Sequence, residues 1–152
     1  MPFVYLDTCV FIGGFETAGP MATSLREFFV ELQKHPFFAV TSELTIAELL
    51  APIKHAAAMT MEERRNLYIP LIDDGAFIEM RPVTRSILLA TAPLRVQHPQ
   101  RLPDAIHIAT ALEAGCGFFL SQDRDARRLP PSLTWVGMNS AGIATVLEAL
   151  RA

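Results

Sequence analysis

Phe3-Val4-Tyr5-Leu6-Asp7-Thr8 decides how this chain is read. Four apolar residues run on without polar alternation, and an acid and a hydroxyl follow at once. An unbroken apolar run of this length reads as a strand buried on both faces, the kind found inside parallel sheets. In open α/β sheets the functional crevice lies beyond the carboxyl ends of the strands, and Asp7 stands at such an end.

Working outward, further strands are expected over 37–41, 76–80, 117–121 and 133–136. Helical spacing or capping signals fall between them, over 21–34, 43–50, 60–72, 84–96, 103–114 and 140–150, with Pro93 as an interruption. Short helical pieces follow the first and fourth strands at 8–14, broken by Gly13-Gly14, and at 123–129. The 60–72 helix opens on Thr60 with Glu63 three residues later, a capping-box pattern. Asp73-Asp74-Gly75 reads as a turn, and Ser140 as the N-cap of the last helix. Strands alternating with helices imply parallel crossovers, hence an α/β fold: a three-layer α/β/α sandwich around a parallel five-stranded sheet. The 152 residues are read as a single domain, 1–152.

Composition narrows the class. Hydrophobic residues make up 51% and charged residues 19%, which excludes a disordered chain. No apolar run approaches the roughly 18 residues of a membrane span, and no basic-then-apolar leader opens the chain, so a cytoplasmic protein without membrane contact is expected. Cys9 and Cys116 have no metal-ligand spacing and are expected as free thiols. Residues 1–80 hold 5 Lys/Arg against 11 Asp/Glu, a net of −6, and residues 81–152 hold 8 against 5, a net of +3. The cations of the second half are all Arg, whose planar fork suits phosphate, although on charge alone an ordinary solvated face is the favoured reading.

Three more acids stand just after a strand or at the head of a helix: Glu48, Asp104 and Asp123. Each has a local explanation. Asp7 and Asp123 suit N-caps, Glu48 completes a capping-box pattern with Thr45, and Asp104 suits a helix dipole. Their recurrence at one kind of position is what those explanations leave over. Simple βαβ logic brings Glu48 and Asp123 to the edge that holds Asp7 and leaves Asp104 open. Crowded carboxylates require a cation or shared protons, and an all-oxygen donor set without His or Cys clusters suits Mg²⁺ or Mn²⁺. Such an ion activates water and binds phosphoryl oxygens, so the natural reaction is phosphodiester hydrolysis.

Four pieces then carry a specific resemblance: Val4-Tyr5-Leu6-Asp7-Thr8, the run Thr41-Ser42-Glu43-Leu44-Thr45-Ile46-Ala47-Glu48-Leu49-Leu50, the run Leu102-Pro103-Asp104-Ala105-Ile106-His107-Ile108-Ala109-Thr110-Ala111, and Phe119-Leu120-Ser121-Gln122-Asp123-Arg124-Asp125. In this order they resemble the PIN-domain ribonucleases of the VapC toxin type, over nearly the whole chain. The resemblance implies that Asp7, Glu48, Asp104 and Asp123 gather around Mg²⁺ or Mn²⁺, which would bring Asp104 to the common edge. It implies a metal-dependent endoribonuclease acting on RNA, a small antitoxin protein as partner, and a homodimer. Gln122 departs from the Asn frequent in the family just before the fourth acid, so Asp125 stands as a reserve for Asp123. Thr8 and Ser121 are candidates to orient carboxylates. Arg101, Arg124 and His107 are candidates for RNA contact, with a structural role the commoner expectation for a histidine on that helix. A non-catalytic RNA- or protein-binding module on the same fold is the rival reading. A phosphatase would want an acid where Cys9 stands, and a phospho-receiver a late Lys, whereas none follows Lys54.

Overall fold

The computed structural model of the chain describes residues 3–51, 59–74, 77–122 and 128–152. Five strands form one sheet: β1 (Phe3–Leu6), β2 (Ala39–Ser42), β3 (Ile78–Arg81), β4 (Cys116–Ser121) and β5 (Thr134–Gly137). Their order is β3-β2-β1-β4-β5 and every pair is parallel. β1 is central, with Tyr5 opposite Val40 on one side and Phe119 on the other. Strand order reverses there, so the end of β1 is the topological switch point where such sheets open a crevice.

Helices α1 (Thr8–Phe15), α2 (Pro20–Gln33), α3 (Leu44–Leu50), α4 (Met61–Ile69), α5 (Arg85–Gln97), α6 (Leu102–Glu113) and α7 (Ser140–Arg151) complete the described elements, with a π-helical turn at Pro70–Asp74. Successive strand residues point to opposite faces. Val4 and Leu6 enter a large core with Phe11, Phe28, Leu49 and Ile143, while Tyr5 enters a smaller one with Ile87, Ile108 and Phe119. Both faces of the sheet are therefore covered, as the unbroken apolar strand predicts.

The connection from β3 to β4 uses two helices packed on each other, α5 and α6. Cys116, just past α6, pairs with Phe3 at the start of β1, whereas His107, midway along α6, reaches Asp7 just past the end of β1. The helix thus runs from the carboxyl edge of the sheet back to its amino edge. The additional helix α5 makes that direction possible, and it brings the head of α6 to the edge where Asp7 stands.

Several local expectations shift. Gly13-Gly14 lies inside α1 and does not break it. A Cβ at Gly13 would lie 2.6 Å from Met138 Cε, so the missing side chain lets α1 approach its neighbours closely. β2 begins at Ala39 because Phe37 has φ 66°, a left-handed residue that turns the chain and cannot continue a strand. Pro70 lacks the N–H for an α-helical bond, and the chain widens there into the π turn. Pro93 is accommodated inside α5. The last helix is capped by Asn139, whose side chain accepts from Gly142 N at 2.8 Å, one residue before the expected Ser140. A Cβ on Gly142 would stand 1.9 Å from the Gly137 carbonyl oxygen, so α7 can meet β5 this closely only with glycine there. The capping box of Thr60 and Glu63 forms as its spacing predicts. Neither Cys9 nor Cys116 forms a disulfide among the described residues. The expected helix over 123–129 lies largely outside the described residues, as does Gly75 of the turn after Asp74.

Candidate active site

Leu6 ends β1, and the next residue turns the chain into α1. Asp7 is extended, and its Oδ1 accepts a 2.8 Å bond from Thr8 N, so it caps α1. Its backbone is tied across the sheet by the bond from Asp7 N to Leu120 O, 3.1 Å. Its second oxygen, Oδ2, accepts from Ser121 Oγ at 2.7 Å. Behind Ser121 lies the thiol of Cys9 at 3.7 Å, which in turn accepts from Gln122 N at 3.3 Å. With the serine proton committed to Asp7, the thiol is the donor to Ser121. The expected cap and a fixed carboxylate coexist in one residue.

Glu48 does not form the capping box that its spacing from Thr45 allows. Thr45 lies inside α3 and its hydroxyl meets that of Thr41 at 2.8 Å. The Glu48 carboxylate turns to the end of β1 instead. Oε1 accepts from Thr8 Oγ1 at 2.8 Å and lies 2.5 Å from His107 Nε2. The same ring nitrogen is 3.8 Å from Asp7 Oδ1. Segments far apart in sequence, residues 7–8, 48 and 107, are therefore joined through a single imidazole.

His107 is 1% exposed. Its other nitrogen, Nδ1, is 2.6 Å from the hydroxyl of Tyr5, itself wholly buried. The ring has no surface to present to RNA, which corrects that candidacy in favour of a structural position. Asp104 stands three residues before His107 on the same helix face. Its carboxylate, 23% exposed, pairs with the exposed Arg101 guanidinium at 3.2 Å. Of the remaining candidates, Asp123, Arg124 and Asp125 lie outside the described residues. Among the described residues no three His, Cys, Asp or Glu side chains are grouped so as to hold a metal ion.

The electrostatics follow from this geometry. Burial pulls the His107 pKa down, but the Glu48 hydrogen bond and the charges of Asp7, Glu48 and Asp104 together outweigh it and raise the pKa above its ordinary value. Burial pushes Glu48 up, and the His107 and Thr8 bonds with the charges of His107 and Arg101 bring it below the usual value. The Tyr5 hydroxyl is held well above its ordinary pKa by burial and then by the charge of Asp7, and so keeps its proton. Asp7, Glu48 and Asp104 thus act on one ring, while Arg101 faces them from the solvent side.

A family model for the PIN domain matches residues 4–130. The chain belongs to the PIN domain family. Among solved structures, this PIN domain is similar to the DNA-bound VapBC from Salmonella typhimurium, with a TM-score of 0.64 at 17% identity over 91% of this chain and 100% of the other. It is also similar to VapBC2 from Rickettsia felis bound to a promoter DNA fragment, with a TM-score of 0.63 at 15% identity over 89% of this chain and 98% of that one. A toxin-antitoxin complex from Klebsiella pneumoniae gives a TM-score of 0.61 at 18% identity, covering 86% and 95%. At these identities the likeness is one of fold. No curated protein sequence matches the chain. No helix among the described residues is long and apolar enough to cross a membrane.

The residue that sequence reasoning missed in this PIN domain is Tyr5. Its signal was present: a phenolic hydroxyl in an otherwise apolar, buried strand needs a polar partner. Nothing in the spacing says that the partner is His107.

Proposed function

We propose that this PIN domain is a Mg²⁺- or Mn²⁺-dependent endoribonuclease, the toxin of a VapBC-type toxin–antitoxin pair. The observation that carries the reading is the meeting of Asp7 and Glu48 at His107 beside the switch point of the sheet, with Asp104 one helical turn before His107 and its charge felt by the same ring. Among the described residues, three carboxylates against one imidazole and the exposed Arg101 leave an excess of negative charge at a partly exposed edge, and hard oxygen donors of this kind fit Mg²⁺ or Mn²⁺. Asp7, Glu48, Asp104 and Asp123 would hold the ion, with Asp125 in reserve. When bound, such an ion lowers the pKa of water and offsets charge on a phosphodiester.

The chain's own residues do the rest. Thr8 and Ser121 hold the two oxygens of Asp7, and Thr8 also holds Glu48, so neither carboxylate must be ordered at the moment of reaction. Arg101, 71% exposed, would meet an RNA phosphate, and Arg124, which lies outside the described residues, remains a second candidate from the sequence. The structural neighbours are toxin-antitoxin complexes, which supports a small antitoxin protein as the natural partner in the cytoplasm. Exposed Leu88, Leu89 and Val96 on α5 offer apolar surface for a second copy of the chain.

The test is cleavage of RNA with Mg²⁺ or Mn²⁺, repeated with excess chelator and with Asp7→Asn and Asp104→Asn proteins whose folding is checked by circular dichroism. Cleavage abolished by each supports the reading. Cleavage that survives the chelator and both substitutions overturns it, and metal-independent RNA binding without turnover would establish a non-catalytic module.

A further inference from the structure

Tyr5 and His107 form a second layer behind the carboxylates, and its chemistry is more constrained than packing requires. Tyr5 is wholly buried, stacked on Phe119 with centroids 5.1 Å apart and 9° between planes. Its ring stands edge-on to His107 at 5.8 Å, and the hydroxyl meets Nδ1. On the other side of the imidazole, Nε2 faces Glu48 Oε1 and, more distantly, Asp7 Oδ1. An ionised carboxylate only accepts, so Nε2 must carry a proton. The ring can meet that demand as neutral imidazole, with Nδ1 accepting from the tyrosine O–H, or as imidazolium, with Nδ1–H donating to the tyrosine oxygen. A phenol serves both states and phenylalanine serves neither.

We propose that Tyr5 and His107 are positioning residues: the tyrosine keeps the Nε2 proton aimed at Glu48, and that bond fixes the glutamate so that its other oxygen, Oε2, is presented to the ion or its water. This rests on the nuclease reading above. Thr8 and His107 both bind Oε1, which leaves Oε2 as the oxygen they do not engage. The opposite role for the same ring is a built-in cation that competes with the metal. The two roles differ in sign, because loss of a positioning residue weakens metal binding and loss of a competitor tightens it.

The experiment measures Mn²⁺ binding to the RNA-free full chain by electron paramagnetic resonance for wild type, Tyr5→Phe, His107→Leu and His107→Gln, alongside their melting temperatures. Long-range proton–nitrogen NMR of the metal-free protein reports which ring nitrogen carries the proton. His107→Leu is expected to bind Mn²⁺ about ten-fold more weakly or worse. His107→Gln, whose amide nitrogen can take the place of Nε2, is expected to recover most of that loss, which a purely structural role does not predict. Tyr5→Phe, which removes the hydroxyl that meets Nδ1 and so holds the ring less firmly, is expected to weaken binding by less. It covers the case in which His107→Leu does not fold. A normal wild-type isotherm with unchanged or tighter binding in the folded variants overturns this proposal alone, as does a bare Nε2 in the wild type. Absence of saturable Mn²⁺ binding to the wild type overturns the nuclease reading and this proposal together.

Discussion

Two clusters of acid and hydroxyl groups sit close to the first helix of this protein, and they are built on opposite terms. At the carboxyl end of α1, Glu16 receives both arms of the Arg64 guanidinium, Nη1 at 2.8 Å and Nη2 at 2.6 Å, with the Tyr68 hydroxyl donating at 2.5 Å. Arg64 also reaches Leu49 O at 3.3 Å, so the cluster ties α1, α3 and α4 together. One carboxylate meets one guanidinium, and the charge balances within the fold. At the amino end of α1, Asp7 and Glu48 share one imidazole, and Asp104 adds its charge to the same ring. Among the described residues that cluster holds more carboxylate than cation, and under the nuclease reading a metal ion would complete it. If the nuclease reading holds, the contrast separates a carboxylate used as a fastener from carboxylates held ready for a ligand.

The contrast can be broken first at the balanced end. Arg64→Met leaves the largely shielded Glu16 carboxylate without its cation, and stability should fall by about 3 kcal/mol, read as a lower urea midpoint. Adding Glu16→Gln should return part of that loss, since the stranded charge is then gone. A double variant no more stable than the single one would mean that Arg64 acts through packing.

At the unbalanced end the signs should differ. Asp7→Asn or Asp104→Asn should lower RNA cleavage by more than about 100-fold if each holds the ion, since even outer positions around a metal are worth 10–100-fold. The melting temperature of the metal-free protein should hold or rise, because like charges are relieved. A large loss of stability in both variants would make this cluster a fastener too.

A smaller effect lies in the pH dependence. The raised pKa of His107 contributes stability that is complete below the ordinary value of 6.5 and is lost as pH rises through its higher folded value. The lowered pKa of Glu48 contributes stability that is complete above 4.5 and is lost as pH falls through its lower folded value. Both are fully present only between about 4.5 and 6.5. The stability difference between wild type and His107→Gln, from urea unfolding, should be largest in that window and shrink on either side. Smallest of all, Arg101→Gln breaks an exposed pair, so stability should move by no more than about 0.5 kcal/mol. Its effect should appear in RNA binding, where the slope of log affinity against log salt should fall by about 0.7 for one lost phosphate contact on a single strand.

Much of this molecule was legible in the chain. The apolar run before Asp7 announced a doubly buried strand, and Val4, Tyr5 and Leu6 are all wholly buried. Local signals that act within a few residues held, such as the capping box of Thr60 and Glu63. Others failed because a distant partner outbid a near one. Thr45 and Glu48 have the spacing of a capping box, yet Thr8 and His107 take the glutamate. Gly13-Gly14 looks like a break until α1 is seen to need close approach.

What the sequence determined by itself is the kind of chemistry: which residues are hard oxygen donors, which strands are buried on both sides, and which carboxylates stand at strand ends or helix heads. Those properties belong to side-chain type and short-range periodicity, which extend only a few residues. What the tertiary structure decided is company. The two-helix crossover through α5 and α6 turns the head of α6 to the edge where β1 ends, and only then do Asp104 and His107 face Asp7 and Glu48. Tyr5 becomes more than core only because the sheet sets it against a ring 102 residues away. Direction of crossover and contact across the sheet are global properties of the packed chain, and no local window of sequence contains them.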